Sequence, residues 1–326
     1  MMKDKKVSAP NTLESKMTLS YMRFFATLLI TNFHIAPLYP DSMRMLSTGG
    51  ALGNSLFFFC SGYALYLSNK ENGAYSWIAR RYTRIYPSIW IFVAICIIGG
   101  MQSFSIQDFI IPPYWFLQAI LFFYILFYFT TKYLANHLIK TCVFFVSLFI
   151  ITYFCVDHNT FIIENTENNH FLHWYFYYVI MIIGAIVARD NSFIIKIKPW
   201  VGIIALITLI ILYYSMKISV MHIINPKYNL QLIIPIFLFI IPVFSFQLCS
   251  MIPISTPKYI NKIVSFISDL TLDIYIVQFV IIGYFVKYDF PYGFILSIIS
   301  IIITAYLLNI GASYITKYLR VILIKK

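Results

Sequence analysis

Long apolar runs separated by short polar stretches recur from one end of the chain to the other. A helix needs about 17 to 25 such residues to cross a bilayer. Ten runs approach that length: Leu19–Leu38, Gly50–Ser68, Ile85–Phe104, Pro113–Thr131, Leu138–Val156, Phe171–Ala188, Trp200–Met216, Leu230–Ser250, Ile267–Val286 and Pro291–Ile315. The pattern predicts an all-α polytopic membrane protein, a bundle of about ten transmembrane helices. Residues 19–316 read as one transmembrane domain between a polar N-terminal tail, 1–18, and a C-terminal tail, 317–326. The tail 1–18 precedes a run of spanning length and has no small-residue cleavage site, so no cleavable signal peptide is expected. The longest connection, Asp157–His170, is acidic and polar; it fits a solvated loop or a cover over an outer vestibule.

Composition strengthens this picture and charge orients it. The chain is 60% hydrophobic and 11% charged, with mean hydropathy +0.80, whereas soluble domains are about 25% charged. The net charge of +12 invites a nucleic-acid reading, but the positions of the charges argue against it. With the connections placed alternately on the two sides, nineteen Lys and Arg residues share the side of the termini and four lie opposite, Arg44, Lys217, Lys227 and Lys287. That asymmetry is the positive-inside rule, and it predicts both termini in the cytosol of a multi-pass bacterial inner-membrane protein. Anionic membrane lipid is then the partner of the basic charge, and nucleic acid is not. The five cysteines sit in apolar runs without metal-ligand or CxxC spacing, so neither a disulfide framework nor a metal site is expected.

Chemistry must therefore come from the few polar residues inside the runs. Arg23 and His34 share the first run; on a helix, eleven steps bring them to within roughly 20° of one face and about 16 Å apart along the axis. Intramembrane ionisable residues are functional candidates by default, although Arg23 could serve as an interfacial anchor and His34 as a plain hydrogen-bonding residue. Arg80, Arg81 and Arg84 crowd the expected entrance of the third run. Guanidiniums so placed suit phosphates through forked hydrogen bonds, and positive-inside anchoring predicts the same cluster. Asp273 lies in Asp269-Leu270-Thr271-Leu272-Asp273-Ile274-Tyr275-Ile276-Val277-Gln278, and a carboxylate at that depth calls for a cation, Arg23 or Arg84. Ser61 with Gly62 suits close helix approach. Aromatics near run ends, Tyr39, Tyr114 with Trp115, and Trp174 with Tyr175, suit an interfacial belt or stacking on a sugar ring.

Together these motifs resemble the acyltransferase 3 family of bacterial multi-pass membrane acyltransferases. The resemblance rests on Arg23 and His34 in an arginine, ten residues, histidine pattern, and on Phe58-Phe59-Cys60-Ser61-Gly62-Tyr63. It continues through Arg81-Tyr82-Thr83-Arg84-Ile85-Tyr86-Pro87, Trp115-Phe116-Leu117 followed by Tyr124, and Thr271 to Gln278. The chain departs from many members at Ile120 and Leu121, where they carry acidic residues, and at Gln278, where they carry a histidine. It resembles the bare membrane form, without an appended esterase-like domain. The resemblance implies transfer of an acyl group, often acetyl, from cytosolic acyl-CoA to a hydroxyl of a carbohydrate or lipid-linked glycan acceptor. Acetyl-CoA enters as donor substrate, and no bound cofactor is implied.

Joined to the resemblance, the residue pattern leads to a specific mechanism. Arg81, Arg84, Arg80 and Arg23 would hold the phosphates of coenzyme A, and His34 would act as general base on the acceptor hydroxyl. Asn54 or Ser61 would polarise the carbonyl, with Asp273, Trp115 and Gln278 in support. A covalent acyl-histidine relay stays open beside direct transfer. The competing reading is a transporter or flippase for a lipid-linked sugar, with Arg23 and Asp273 as a gating pair and His34 as a proton relay. The scarcity of Pro and Gly breaks within the runs tells against it. A glycan polymerase, the third reading, would call for a larger outer loop.

Overall fold

The structure, a computed structural model, describes residues 13–68, 73–101, 103–155, 170–190, 198–222, 230–252 and 256–324. Residues 1–12 of the expected tail and 157–169 of the expected polar loop lie outside that set, as do Lys70, Lys196, Lys227, Lys325 and Lys326. Among the described residues every regular element is helical: α1 (Leu13–His34), α2 (Gly50–Tyr66), α3 (Gly73–Ile98), α4 (Trp115–Tyr133), α5 (Leu138–Cys155), α6 (His170–Arg189), α7 (Pro199–His222), α8 (Ile234–Ser250), α9 (Lys258–Asp269), α10 (Thr271–Phe285) and α11 (Tyr292–Ile324), with short 3-10 turns between some of them. Each of the ten apolar runs appears as helix. Among the described residues, seven helices are long and apolar enough to cross a membrane, or eight if the bent pair α9 and α10 is one span. The expectation of ten spans is met only to that extent. The 17-residue α2 is slightly short by itself, and α1 carries Glu14, Lys16 and Arg23.

Three boundaries move, each for a local reason. α1 begins at Leu13 and ends at His34 instead of running to Leu38, because Pro37 cannot continue a helix and disfavours helical geometry in the residue before it. Arg23 thereby stands ten residues into the helix rather than one turn in, and His34 is its last residue. α3 begins at Gly73, twelve residues before the apolar run, so Arg80, Arg81 and Arg84 are helical residues and not a loop at a helix mouth. The ninth run is divided: α9 and α10 meet at a 66° bend around Leu270. α9 mixes Lys258, Asn261, Lys262 and Asp269 with apolar residues, and at 12 residues it spans only about 18 Å.

The described helices form two compact units. The first takes α1 up to Ala26, α2, α5 to α8, and α9 up to Ser265. Its centre is α6, where Tyr177, Val179, Ile180, Met181 and Ala185 are buried. α2 crosses α6 backbone to backbone: a Cβ on Gly62 would sit 1.8 Å from the Met181 carbonyl oxygen, and one on Gly184 would sit 2.2 Å from that of Phe59. Small residues at such a crossing let helices approach where no hydrophobic driving force exists between them.

The second unit takes α1 from Thr27 onward, α3, α4, α10 and α11. α3 and α11 run antiparallel, with Gly311 beside Ile91 and the Thr316 hydroxyl donating to the Thr83 carbonyl at 2.9 Å. Outward faces are apolar in both units. Ile203, Ile207 and Ile211 on α7, and Ile295, Ile299 and Ile303 on α11, are exposed at one-turn spacing. Exposed apolar stripes of this length are suited to hydrocarbon and not to water, and they make the chain a multi-pass membrane protein.

Gly62→Ala and Gly184→Ala are each expected to destabilise by about 1–3 kcal/mol through overpacking, read as a lower thermal midpoint in detergent. Gly283→Ala, whose Cβ meets nothing within 4 Å, should be neutral or stabilise by up to about 1 kcal/mol.

Candidate active site

His34 closes α1 inside a group of aromatic rings from the second unit. Its imidazole lies 4.3 Å from the Phe279 ring and 6.3 Å from that of Tyr275, both edge-on, with Phe33 at 5.2 Å. Tyr114, just before α4, stacks on Phe279 at 4.7 Å and meets Tyr275 at 5.9 Å. No described residue hydrogen-bonds to either ring nitrogen of His34. The ring is held in place by packing.

Two contacts set the register of α1 against α10. The Thr27 hydroxyl donates to the Thr271 hydroxyl at 2.9 Å, and one turn and more further on His34 meets Tyr275 and Phe279. The two helices therefore run in the same direction here. Thr271, Tyr275 and Gln278 form one stripe of α10 at i, i+4 and i+7, and that stripe faces α1. Beside it opens a cleft of about 860 Å³ lined by Phe104, Tyr114, Phe279, Tyr284, Ser103 and Ser300 among others. Its wall is mostly apolar, with five aromatic residues, and it shares Tyr114 and Phe279 with the surroundings of His34. The buried Tyr114 hydroxyl has no hydrogen-bond partner among the described residues.

The opposite face of α10 carries Asp273, which is 1% exposed. The Ser88 hydroxyl on α3 donates to Oδ1 at 2.6 Å, and the Asn309 amide on α11 donates to Oδ2 at 2.8 Å. The expected ion pair with Arg23 or Arg84 is not made. Arg84 lies one turn before Ser88 and acts on Asp273 only as a more distant charge. A hydroxyl and an amide suffice because each carboxylate oxygen needs a donor more than the site needs a second buried charge. Ser88 was not singled out in the sequence, although Asn309, a lone amide inside the last apolar run, was a readable signal.

Arg80, Arg81 and Arg84 do come together, along one side of α3. Arg81 lies with its guanidinium 4.0 Å above the Trp77 ring and donates to the Trp77 carbonyl at 3.0 Å; Arg80 donates to the Ser76 hydroxyl at 3.2 Å. Arg320 of α11 and Tyr124 of α4 stand within electrostatic range of Arg81 as well. The antiparallel register explains Arg320: four residues past Thr316, it is carried toward the start of α3. Position 317 onward was expected to be a tail, yet α11 continues to Ile324 and brings Arg320 to the cluster. From Arg84 the path rises one turn to Ser88, crosses to Asp273, and follows α10 to the level of His34, about 15 Å of helix rise in all.

The remaining candidates have separate settings. Arg23, half-buried on α1, belongs to the first unit, where its charge is felt at the Cys60 thiol of α2. Ser61 follows Cys60 on that helix, and Asn54, two turns earlier, has a buried Oδ1 with no partner among the described residues. Trp115 opens α4 with its ring 6.0 Å from Phe116. Gln278 is completely buried on the α1-facing stripe. Among the described residues no group of His, Cys, Asp or Glu could hold a metal ion.

A histidine among aromatic rings, a cluster of guanidiniums on α3 and α11, and outward faces suited to lipid belong to a multi-pass membrane protein. The acyltransferase 3 family model, an acyltransferase domain, matches residues 18–318, nearly the whole chain, and the protein belongs to that family. No curated protein and no solved structure is similar enough to match.

Because Asp273 ties three helices, Asp273→Ala should destabilise by about 2–4 kcal/mol, since it leaves Ser88 and Asn309 buried without an acceptor. Asp273→Asn, which keeps one acceptor oxygen, should lose less than half as much in thermal unfolding in detergent.

Proposed function

We propose that this acyltransferase is a membrane O-acyltransferase of the bacterial inner membrane, with both termini cytosolic. It moves an acyl group, acetyl in the first instance, from cytosolic acyl-CoA to a sugar hydroxyl of a surface polysaccharide, an O-antigen or capsule unit, or a glycolipid. The observation that carries this reading is His34, set among aromatic rings with both ring nitrogens free of described partners, beside an open cleft.

In this reading Arg80, Arg81 and Arg84, joined by Arg320, bind the phosphates of the donor. Four guanidiniums repel one another and favour a polyanion among them, and their planar forks match phosphate oxygens. The narrow pantetheine arm follows α3 and α10 toward His34, and the acceptor enters through the aromatic cleft, whose rings offer faces to a sugar ring. The neutral imidazole of His34 accepts the proton of the acceptor hydroxyl as its oxygen bonds to the thioester carbon. The C–S bond then breaks, and the imidazolium returns the proton to the leaving thiolate. General-base catalysis of this kind contributes roughly 10²- to 10⁴-fold. Trp115 is a supporting residue whose part is to shape the surroundings of the donor and acceptor.

The test follows label from acetyl-CoA into the glycolipid and polysaccharide fraction of membranes containing the protein. His34→Ala should lower transfer by roughly 10²-fold or more; wild-type transfer would refute the base assignment. Arg81→Ala combined with Arg84→Ala should raise the KM for acetyl-CoA by about tenfold or more while kcat changes little, as expected for lost charge-assisted bonds to a bound phosphate.

A further inference from the structure

Gln278 is 0% exposed, yet neither its Oε1 nor its Nε2 finds a hydrogen-bond partner among the described residues. A carboxamide offers two donors and an acceptor, and leaving all of them empty in an interior is costly. Such a group is retained where something not part of the chain fills its bonds.

Its position says what that could be. Thr27 and Thr271 are hydrogen-bonded, and α1 and α10 run in the same direction from that bond. Seven residues separate Thr27 from His34, and seven separate Thr271 from Gln278. The two side chains are thus carried to the same level, about 10 Å of rise beyond the bond, on stripes that face each other. The next residue, Phe279, is in contact with His34 at 4.3 Å and is also a wall of the cleft. Gln278 therefore stands at the level of the imidazole, one residue before the ring that both touches His34 and lines the cleft.

The geometry points to Gln278 as a further catalytic residue, whose Nε2–H donates to the carbonyl oxygen of the acyl group during transfer. This rests on the acyltransferase reading above. As the acceptor oxygen bonds to the acyl carbon, the carbonyl π pair moves onto oxygen and His34 takes the acceptor proton. The oxyanion needs a donor already in place and dry, and the empty carboxamide supplies it. When the carbonyl re-forms, the C–S bond breaks, the thiolate leaves with the electron pair and receives the proton from His34. The carboxamide exchanges no atom.

Gln278→Leu keeps the volume and removes every hydrogen-bonding atom; Gln278→Met is a second, more adaptable replacement. The readout is release of the CoA thiol from acetyl-CoA by the purified full chain, with water in place of the acceptor, alongside the thermal midpoint. The expected result is a kcat roughly 10²-fold lower, comparable to loss of one oxyanion donor. KM for acetyl-CoA should stay within about threefold of wild type, and the midpoint should be unchanged or raised, because an unpaired buried amide has gone. A purely structural glutamine would instead lower the midpoint and spare kcat. Wild-type kcat in both variants, with His34→Ala inactive, overturns the role of Gln278 alone. Wild-type release by His34→Ala overturns the underlying reading and this one with it.

Discussion

A single buried carboxylate governs the geometry of the second unit. Asp273 sits in an apolar helix where an ionisable group is expensive, and it is kept there by one hydroxyl from α3 and one amide from α11. Three helices are therefore tied at one level, and the rotation of α10 about its own axis is no longer free. With Asp273 committed to α3 and α11, the far side of α10 must face α1. That side carries Thr271, Tyr275 and Gln278, so the surroundings of His34 follow from a bond made on the other face of the helix.

The second constraint is the end of α1. Proline at position 37 stops the helix at His34, which turns a mid-run histidine into a terminal one beside the cleft. Aromatic rings then do what hydrogen bonds do elsewhere: they fix the imidazole by shape and leave its nitrogens open. Tyr114 and Gln278, near the same level, both carry buried polar atoms with no partner among the described residues. Elsewhere on α10, Thr271 is bonded to Thr27 and Asp273 to Ser88.

Small residues and charge play complementary parts. Gly62 and Gly184 bring α2 and α6 into backbone contact in the first unit, a crossing that side chains would prevent. On α3, Arg81 rests on the face of Trp77 and donates to its carbonyl. Arginine tolerates such partners because its charge is spread over a plane and weakly hydrated.

The sequence by itself determined the all-helical class of the fold, the order of the apolar runs that become helices, and the family. Those properties depend on local quantities: the length of an apolar run, a proline, a cation or imidazole where none is expected. Where helices begin was harder to read, because polar residues extend α1 and α3 beyond the hydrocarbon-like stretch, so Arg23 and the Arg80 to Arg84 group lie deeper in their helices than hydropathy implied. Partners were decided only by the tertiary structure. A cation was the expected neighbour of Asp273, whereas rotation and register bring Ser88 and Asn309 to it; the same register brings Arg320 to α3 and turns Gln278 toward α1. Which faces meet depends on crossings and rotations set by contacts far apart in the chain, and no local pattern of apolar and polar residues encodes those.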